Sequence, residues 1–299
     1  MFCVGSDLLA VTAVVLNWKD PVGTSRCVES LLTPGGPGQV IVVDNESSGS
    51  LRQFAAAHTG RVQLIESRKN LGFAAGVNLG INSRSPGTRY LLLMNNDAEL
   101  APGCLDLLIR HAVRRPEAGI IAPVIRFPDG RLQSAGHRFR PTTGSVLPLA
   151  AGSIADFATF ACVLLPIDVL HRVGTLDEGF FMYWEDVEYC LRCRRFGLET
   201  HIVPDATVLH RLSASHGRAG GWIDAYSMMG LAVLARRLGG TAYCGLAWRA
   251  MLRLGVRVLR GEWAASRWVM RGLKLGLAAG SGSGHAAVDE LRSAVAARS

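Results

Sequence analysis

The sequence predicts an α/β fold with a mainly parallel central sheet, and three observations carry that expectation. Continuous apolar, largely β-branched runs recur at Val11–Asn17, Gln39–Asp44 and 90–94; runs without polar alternation read as strands buried on both faces. Segments with helical spacing separate them, the alternation of a parallel sheet. Apolar residues make up 49% of the 299-residue chain, enough to cover both faces of such a sheet.

Taken in order, Val11–Asn17 is the first strand. Residues 24–32 have helical spacing, with Cys27, Leu31 and Leu32 on one side, until Pro34-Gly-Gly-Pro-Gly38 ends them. A helix is expected over 51–58, a short strand over Val62–Glu66, a loop entering a helix over 70–82, and an amphipathic helix over Cys104–Arg114. Past residue 120 the pattern loosens. Strands are expected at 120–126 and 157–165, helices at 168–173 and 184–196, and a last strand at 200–203, closed by Pro204. Pro, Gly, Ser and Thr crowd 131–149, which reads as a mobile loop. From Trp222 the chain is helical. There Leu252, Val256 and Leu259 share one side of a helix, while Arg249, Arg253, Arg257 and Arg260 form a basic row.

Charge is unevenly placed. Residues 211–299 hold thirteen Lys/Arg against four Asp/Glu, and the first 210 residues are close to neutral. A basic row beside apolar residues, with Trp263 and Trp268 following, fits a helix lying on an anionic membrane surface; packing on the domain with an exposed Arg face is the alternative. No reading motif for nucleic acid accompanies the basic segment. Ser281-Gly-Ser-Gly284 opens a tail expected to be flexible. Seven cysteines without framework spacing suggest reduced thiols in a cytosolic setting, and Cys190 and Cys193, a lone CxxC in a helical run, read as buried rather than metal-binding. No secretory leader and no spanning helix are expected, since no stretch reaches about 20 apolar residues.

Three apolar strands each run into polar residues: Asn17; Asp44 with Asn45; and Asn95, Asn96 and Asp97. Ligands of open α/β sheets bind beyond the carboxyl ends of strands, so three such clusters imply one crevice. Asp97 suits Mn2+ or Mg2+, hard ions that take one or two carboxylates plus phosphate oxygens, and such an ion would neutralise a departing diphosphate. Gly72, Gly76 and Gly80 stand four apart in NLGFAAGVNLG, either lining a phosphate loop or allowing close helix packing. An aromatic lead-in, Phe180-Phe-Met-Tyr-Trp184, precedes Glu185, Asp186 and Glu188. Rings that stack on sugars beside a carboxylate that takes a hydroxyl proton would serve sugar transfer; favourable carboxylates in a first helical turn are the plainer explanation. His210 is either structural or a nitrogen ligand to the metal.

In order along the chain, VVLNW (14–18), VVDNESSGS (42–50), NLGFAAGVNLG (70–80), LLMNNDAEL (92–100), LDEGFFMYWEDVEYCLR (176–192) and VLH (208–210) resemble the family 2 glycosyltransferases, in particular their bacterial rhamnosyltransferase-like branch. The resemblance implies a GT-A fold over 1–215, with a donor-binding half at about 10–120 and an acceptor-binding half at about 121–215, then a basic helical extension over 216–280 and a tail over 281–299. It implies that Asn17, Asp44, Asn70, Gly72, Asn95 and Asn96 contact a nucleotide-diphosphate sugar, and that Asp97 and His210 hold the metal. It further implies that Asp186 is the catalytic base, with Trp184 and Glu185 on the acceptor side. The implied reaction is inverting transfer to a saccharide or lipid-linked saccharide, on the cytoplasmic face of a membrane. Two departures bear on this. Asn95 replaces the first carboxylate of the metal motif, and Phe160 replaces a usual Gly, which is expected to narrow the acceptor pocket. Both motivate a second reading, an inactive nucleotide-sugar-binding or membrane-docked scaffold.

Overall fold

The computed structural model describes residues 4–211, 222–278, 289–291 and 293. The chain runs through α1 (Val4–Leu9), β1 (Val11–Asn17), α2 (Pro21–Leu31), β2 (Gln39–Asp44), α3 (Arg52–Ala57), β3 (Val62–Glu66), α4 (Gly72–Asn82), β4 (Tyr90–Asn95), β5 (Ala98–Leu100) and α5 (Cys104–Arg114). There follow β6 (Ala118–Arg126), β7 (Leu132–Ser134), β8 (His137–Arg140), β9 (Ser145–Pro148), β10 (Ile154–Ala155), β11 (Cys162–Pro166), α6 (Ile167–Val173), α7 (Glu185–Arg195) and β12 (Glu199–His210). Three helices close the described chain: α8 (Trp222–Leu238), α9 (Ala242–Leu259) and α10 (Trp263–Ala278).

One ten-stranded sheet organises these elements, in the order β10-β12-β6-β11-β4-β1-β2-β3, with β5 added on β12 and β7 on β6. β4, β1, β2 and β3 are mutually parallel. β11 is antiparallel to both β4 and β6, and β12 is parallel to β6. The carboxyl ends of β1, β2, β3, β4, β6 and β12 therefore share one edge. Both faces are covered, which explains the continuous apolar runs: Val14 and Leu93 belong to one core, Ala13, Val15 and Leu92 to the other.

Two of the looser expectations are corrected. Residues 131–149 are not a mobile loop. They form β7 and the β8–β9 hairpin, whose tip packs on α9 so closely that a Cβ on Gly245 would lie 2.0 Å from the Pro141 carbonyl oxygen. Pro204 does not end the last strand either. A register shift between Val203 and Thr207 absorbs it, and β12 continues to His210. The strand expected at 157–165 begins only at Cys162, and residues 158–161 form irregular and turn structure beside the end of β4.

Of the two expectations for the extension, packing on the domain with an exposed Arg face is not what α9 shows. Arg253 and Arg257 turn inward, 3.0 and 2.8 Å from the Asp224 carboxylate, while Leu252, Val256 and Leu259 face outward. The basic row is thus partly neutralised inside the protein, and the apolar side is the exposed one. The segment joining the extension to the domain and the Ser281–Gly284 run lie outside the described residues.

Candidate active site

The shared edge gathers the polar strand ends. Asn17 stands opposite Asp44 in the β1–β2 register, and Leu16 opposite Asn95 in β1–β4. Asn17 is fully buried; its Nδ2 donates to Asp44 Oδ1 at 2.8 Å, and Thr24 Oγ1 lies 2.7 Å from its Oδ1. Asn96 Nδ2 donates to that same threonine oxygen at 3.0 Å. Asp44 Oδ2 is buried without a hydrogen-bond partner. Such an atom is uncommon and marks a place where a donor belongs.

Next to this network, Asn45 and Asn70 shape the entry to α4. Asn70 Oδ1 accepts from Gly72 N at 2.9 Å, and Asn45 Nδ2 donates to the Gly72 carbonyl at 3.0 Å. Gly72 has a left-handed backbone, φ 80°, and a Cβ there would meet the Phe181 carbonyl oxygen at 2.4 Å. Its Cα side is therefore turned to residue 181. Gly76 and Gly80 are packing glycines, closed over by Leu16 and Val14 of β1.

The β5–β12 pairing sets His210 opposite Ala98, next to Asp97, and Arg211 N donates to the Asp97 carbonyl at 2.9 Å. His210 Nδ1 lies 2.8 Å from Gln133 Oε1; the tautomer with its proton on Nδ1 would donate to that oxygen and leave the Nε2 lone pair for a cation. Buried Nε2 has no aligned hydrogen bond, yet sits 2.9 Å from Asp97 Oδ1. Two ligand atoms about 3 Å apart suit neighbouring positions around one octahedral cation, whose bonds are about 2.1 Å. A second group with ligand spacing, Glu117, Glu199 and His201, brings its atoms within 4.8 Å of one another. It lies at the amino ends of β6 and β12, on the opposite edge of the sheet.

Asp186 reaches the same edge through the turn before β11. Asn95 N donates to the Ala161 carbonyl at 3.0 Å, and the adjacent Phe160 N–H donates to the Asp186 carboxylate. Val187 N donates to Asp186 Oδ1 at 2.8 Å. Burial pushes the carboxyls of both Glu185 and Asp186 above the ordinary range, and Asp186 adds charge repulsion at Glu185. Glu185 Oε2 is a further buried atom without a partner. Phe160 does not narrow the crevice with its ring, which is buried against Tyr189 at 6.0 Å.

Trp184 caps α7 from a left-handed conformation, and Tyr183 before it is left-handed too, φ 74° and 72°. Each such non-glycine residue costs about 1–3 kcal/mol and persists only where surroundings impose it. The Trp184 ring meets Phe139 edge-on at 5.9 Å, and its Nε1 donates to the Ser227 carbonyl at 3.0 Å. Sequence reasoning missed Thr24, Asn78 and Gln133. Asn78 ties α4 to the acidic loop through Leu176 N, Leu176 O and Glu178. Its place in NLGFAAGVNLG was a signal; Gln133 carried none.

Comparisons with known proteins follow the same lines. The model of the family described as "Glycosyl transferase family 2" matches residues 21–174, just over half the chain and ending before Asp186 and His210. An N-acetylglucosaminyl-diphospho-decaprenol L-rhamnosyltransferase of Mycobacterium tuberculosis is 28% identical, over 84% of this chain and 90% of its own. A dTDP-rhamnosyl transferase of Shigella flexneri, RfbF, is 26% identical over 58% of this chain and 60% of its own. Among solved structures, a mannosyltransferase from Pyrobaculum calidifontis with GDP-Man and Mn2+ superposes with a TM-score of 0.56 at 16% identity, covering 96% of this chain and 79% of that one. GalNAc-T7 with UDP, GalNAc and Mn2+ gives 0.60 at 13% identity, over 77% of this chain; the match spans 48% of that structure.

Proposed function

The chain belongs to glycosyl transferase family 2 and is a glycosyltransferase with the GT-A fold, and on that premise we propose that it moves a rhamnosyl group, with inversion, from a nucleoside-diphosphate donor to a hydroxyl of a lipid-linked saccharide. The observation that carries this reading is the convergence of Asp97 with His210, and of Asp186 with Asn95, on the edge that also holds Asn17 and Asp44.

In this proposal Asp44 Oδ2 accepts an N–H of the nucleobase, with Asn17 holding the carboxylate. Asn95, Asn96, Asn70 and the backbone at Gly72 line the donor. Asp97 and His210 would hold Mn2+ or Mg2+, which when bound neutralises the departing diphosphate. Asp186 takes the proton of the acceptor hydroxyl as its oxygen bonds to the anomeric carbon and the bond from that carbon to phosphate breaks behind it. Its raised carboxyl range favours this, because a base nearer neutrality accepts the proton more readily and is still ionised at pH 7–8. Glu185 faces the acceptor, and its Oε2 is an acceptor atom for one of the acceptor's hydroxyls.

The test is Asp186→Asn, assayed with dTDP-rhamnose and a polyprenyl-diphosphate saccharide. Turnover is expected to fall at least about 1,000-fold, within the range of general-base and positioning effects, with donor affinity within twofold of wild type. Retained turnover would remove Asp186 as base.

We also propose that the enzyme works on the cytoplasmic face of an anionic membrane. No described helix is long and apolar enough to cross a bilayer. Support comes from the exposed side of the last two helices. On α9, Trp248, Met251, Leu252, Val256 and Leu259 form a solvent-facing stripe at helical spacing, and Leu259 is 89% exposed. On α10 the exposed stripe is Trp263, Arg267, Met270, Lys274 and Leu277, apolar and basic residues in alternation. Neither helix carries a carboxylate, and Glu262, in the turn between them, is engaged by Arg257. An apolar stripe interleaved with cations complements acyl chains beneath anionic headgroups.

A further inference from the structure

The loop 176–184, which delivers Asp186, is gripped from two sides. On the donor side α4 holds it: Phe73 N donates to the Phe181 carbonyl at 2.7 Å, and Asn78 bonds both backbone atoms of Leu176. The other side is held by α8, outside the residues that match the family model. Arg237 reaches Asp177 at 2.7 Å, Tyr226 stacks on Phe181 at 4.9 Å, and Trp184 Nε1 donates to the Ser227 carbonyl at 3.0 Å.

The contact at Gly230 is tight. A Cβ there would stand 2.5 Å from the Tyr183 carbonyl oxygen and 3.0 Å from Trp184 Cδ1. Only a residue without a side chain lets α8 lie directly on the two left-handed residues. Arg253 of α9 backs the contact, donating to Ser227 Oγ and to Asp224 Oδ1, each at 3.0 Å.

We propose that α8 is part of the catalytic apparatus, with Gly230 and the Ser227 carbonyl as positioning groups that hold Tyr183 and Trp184 left-handed and so aim Asp186. Two consecutive left-handed non-glycine residues do not persist on local preference, since each puts Cβ against a carbonyl oxygen. An external grip must select this conformation, and α8 supplies it within two residues of the carboxylate. Trp184 is also the residue whose carbonyl starts α7, accepting from Glu188 N at 2.9 Å. A turn that relaxes at 183–184 therefore swings the first helical turn and its carboxylates. Asp186 would then leave the Phe160 N–H and its buried setting. The helical extension is on this view needed for turnover, whether or not a membrane is present.

This inference rests on the reading of Asp186 as base, and the experiment separates the two. Gly230→Ala and Trp184→Phe are compared with Asp186→Asn in detergent solution, without vesicles. Trp184→Phe keeps a ring but loses the Nε1 hydrogen bond, and serves if Gly230→Ala does not fold. Both are expected to lower kcat at least tenfold with donor KM within twofold. They should also move the acid limb of the kcat–pH profile to lower pH, as Asp186 regains solvent. A purely structural role would lower the thermal midpoint and leave profile and kcat unchanged. Loss of turnover in Asp186→Asn with wild-type kcat and pH profile in the folded variants would overturn the positioning role. A rise in acceptor KM alone for Trp184→Phe would make Trp184 an acceptor contact and likewise overturn it. Full turnover in Asp186→Asn would instead dispose of the base assignment.

Discussion

Glu185 shows what a buried carboxyl costs the fold at a single residue. Burial, and then the Asp186 charge, lift its carboxyl above the ordinary glutamate range, and its Oε2 has no partner. An unfolded glutamate ionises near pH 4.3. Below that range both folded and unfolded chains carry the proton, and there is no penalty. As pH rises from there towards the folded value, only the unfolded chain ionises, so folding weakens; above the folded value the penalty is complete. Glu185→Gln keeps the shape and removes the titration. We expect it to stabilise the protein at pH 8 by about 1–3 kcal/mol, a few degrees in Tm, with the difference gone at pH 4. Thermal melts across that range decide it; a gain independent of pH would mean that the carboxylate charge is not the cause. Turnover should suffer if Glu185 accepts from the acceptor hydroxyl.

At the scale of elements, the site depends on a strand that the sequence does not announce. β7 is three residues long, and its Gln133 Oε1 lies 2.8 Å from Nδ1 of His210 at the end of β12. Partners that orient a ligating imidazole typically govern metal affinity by 10–100-fold. Gln133→Ala is therefore expected to raise the Mn2+ concentration for half-maximal activity by at least about tenfold, with kcat at saturating Mn2+ close to wild type. An unchanged Mn2+ dependence would mean that His210 needs no orientation, or holds no metal. The parallel strands β1, β2 and β4 were legible because each is a continuous apolar run ending in Asn or Asp. Cys104–Arg114 was legible because its apolar positions keep helical period. β7 to β9 were not, because strands of three or four residues on a sheet margin bury little, and their Pro, Gly and Thr content is also that of loops. β12 was cut short in the reading because Pro204 normally stops a strand, and a bulge, which has no sequence marker of its own, carries it on to His210. The arginine row of α9 leaves two orientations open in the sequence for a related reason: periodicity gives the faces of a helix but not which one meets the protein, and Asp224 on α8 decides that.

For the molecule as a whole, the unit that grips the acidic loop also bears the exposed stripe. α8 is nearly all buried, contacting the loop on one side and α9 and α10 on others, so a surface that seats α9 and α10 fixes where the crevice opens relative to it. For a lipid-linked acceptor this geometry substitutes search in a plane for search in solution, and apparent acceptor KM should fall when acceptor and enzyme share a bilayer. Binding has two separable parts. Apolar insertion by Leu259 and Trp263, 89% and 62% exposed, is insensitive to salt, whereas attraction of Arg260, Arg267 and Lys274 to anionic headgroups is screened within about 10 Å at 0.1 M salt. The full chain is expected to co-sediment with phosphatidylglycerol vesicles far better than with phosphatidylcholine vesicles, and less at 0.5 M salt. Leu259→Glu with Trp263→Glu should cut binding at least tenfold while turnover on a detergent-dispersed acceptor stays within twofold. Equal sedimentation with both lipids, or a stable dimer in solution that the double variant dissociates, would assign the stripe to a second copy of the chain instead of a bilayer.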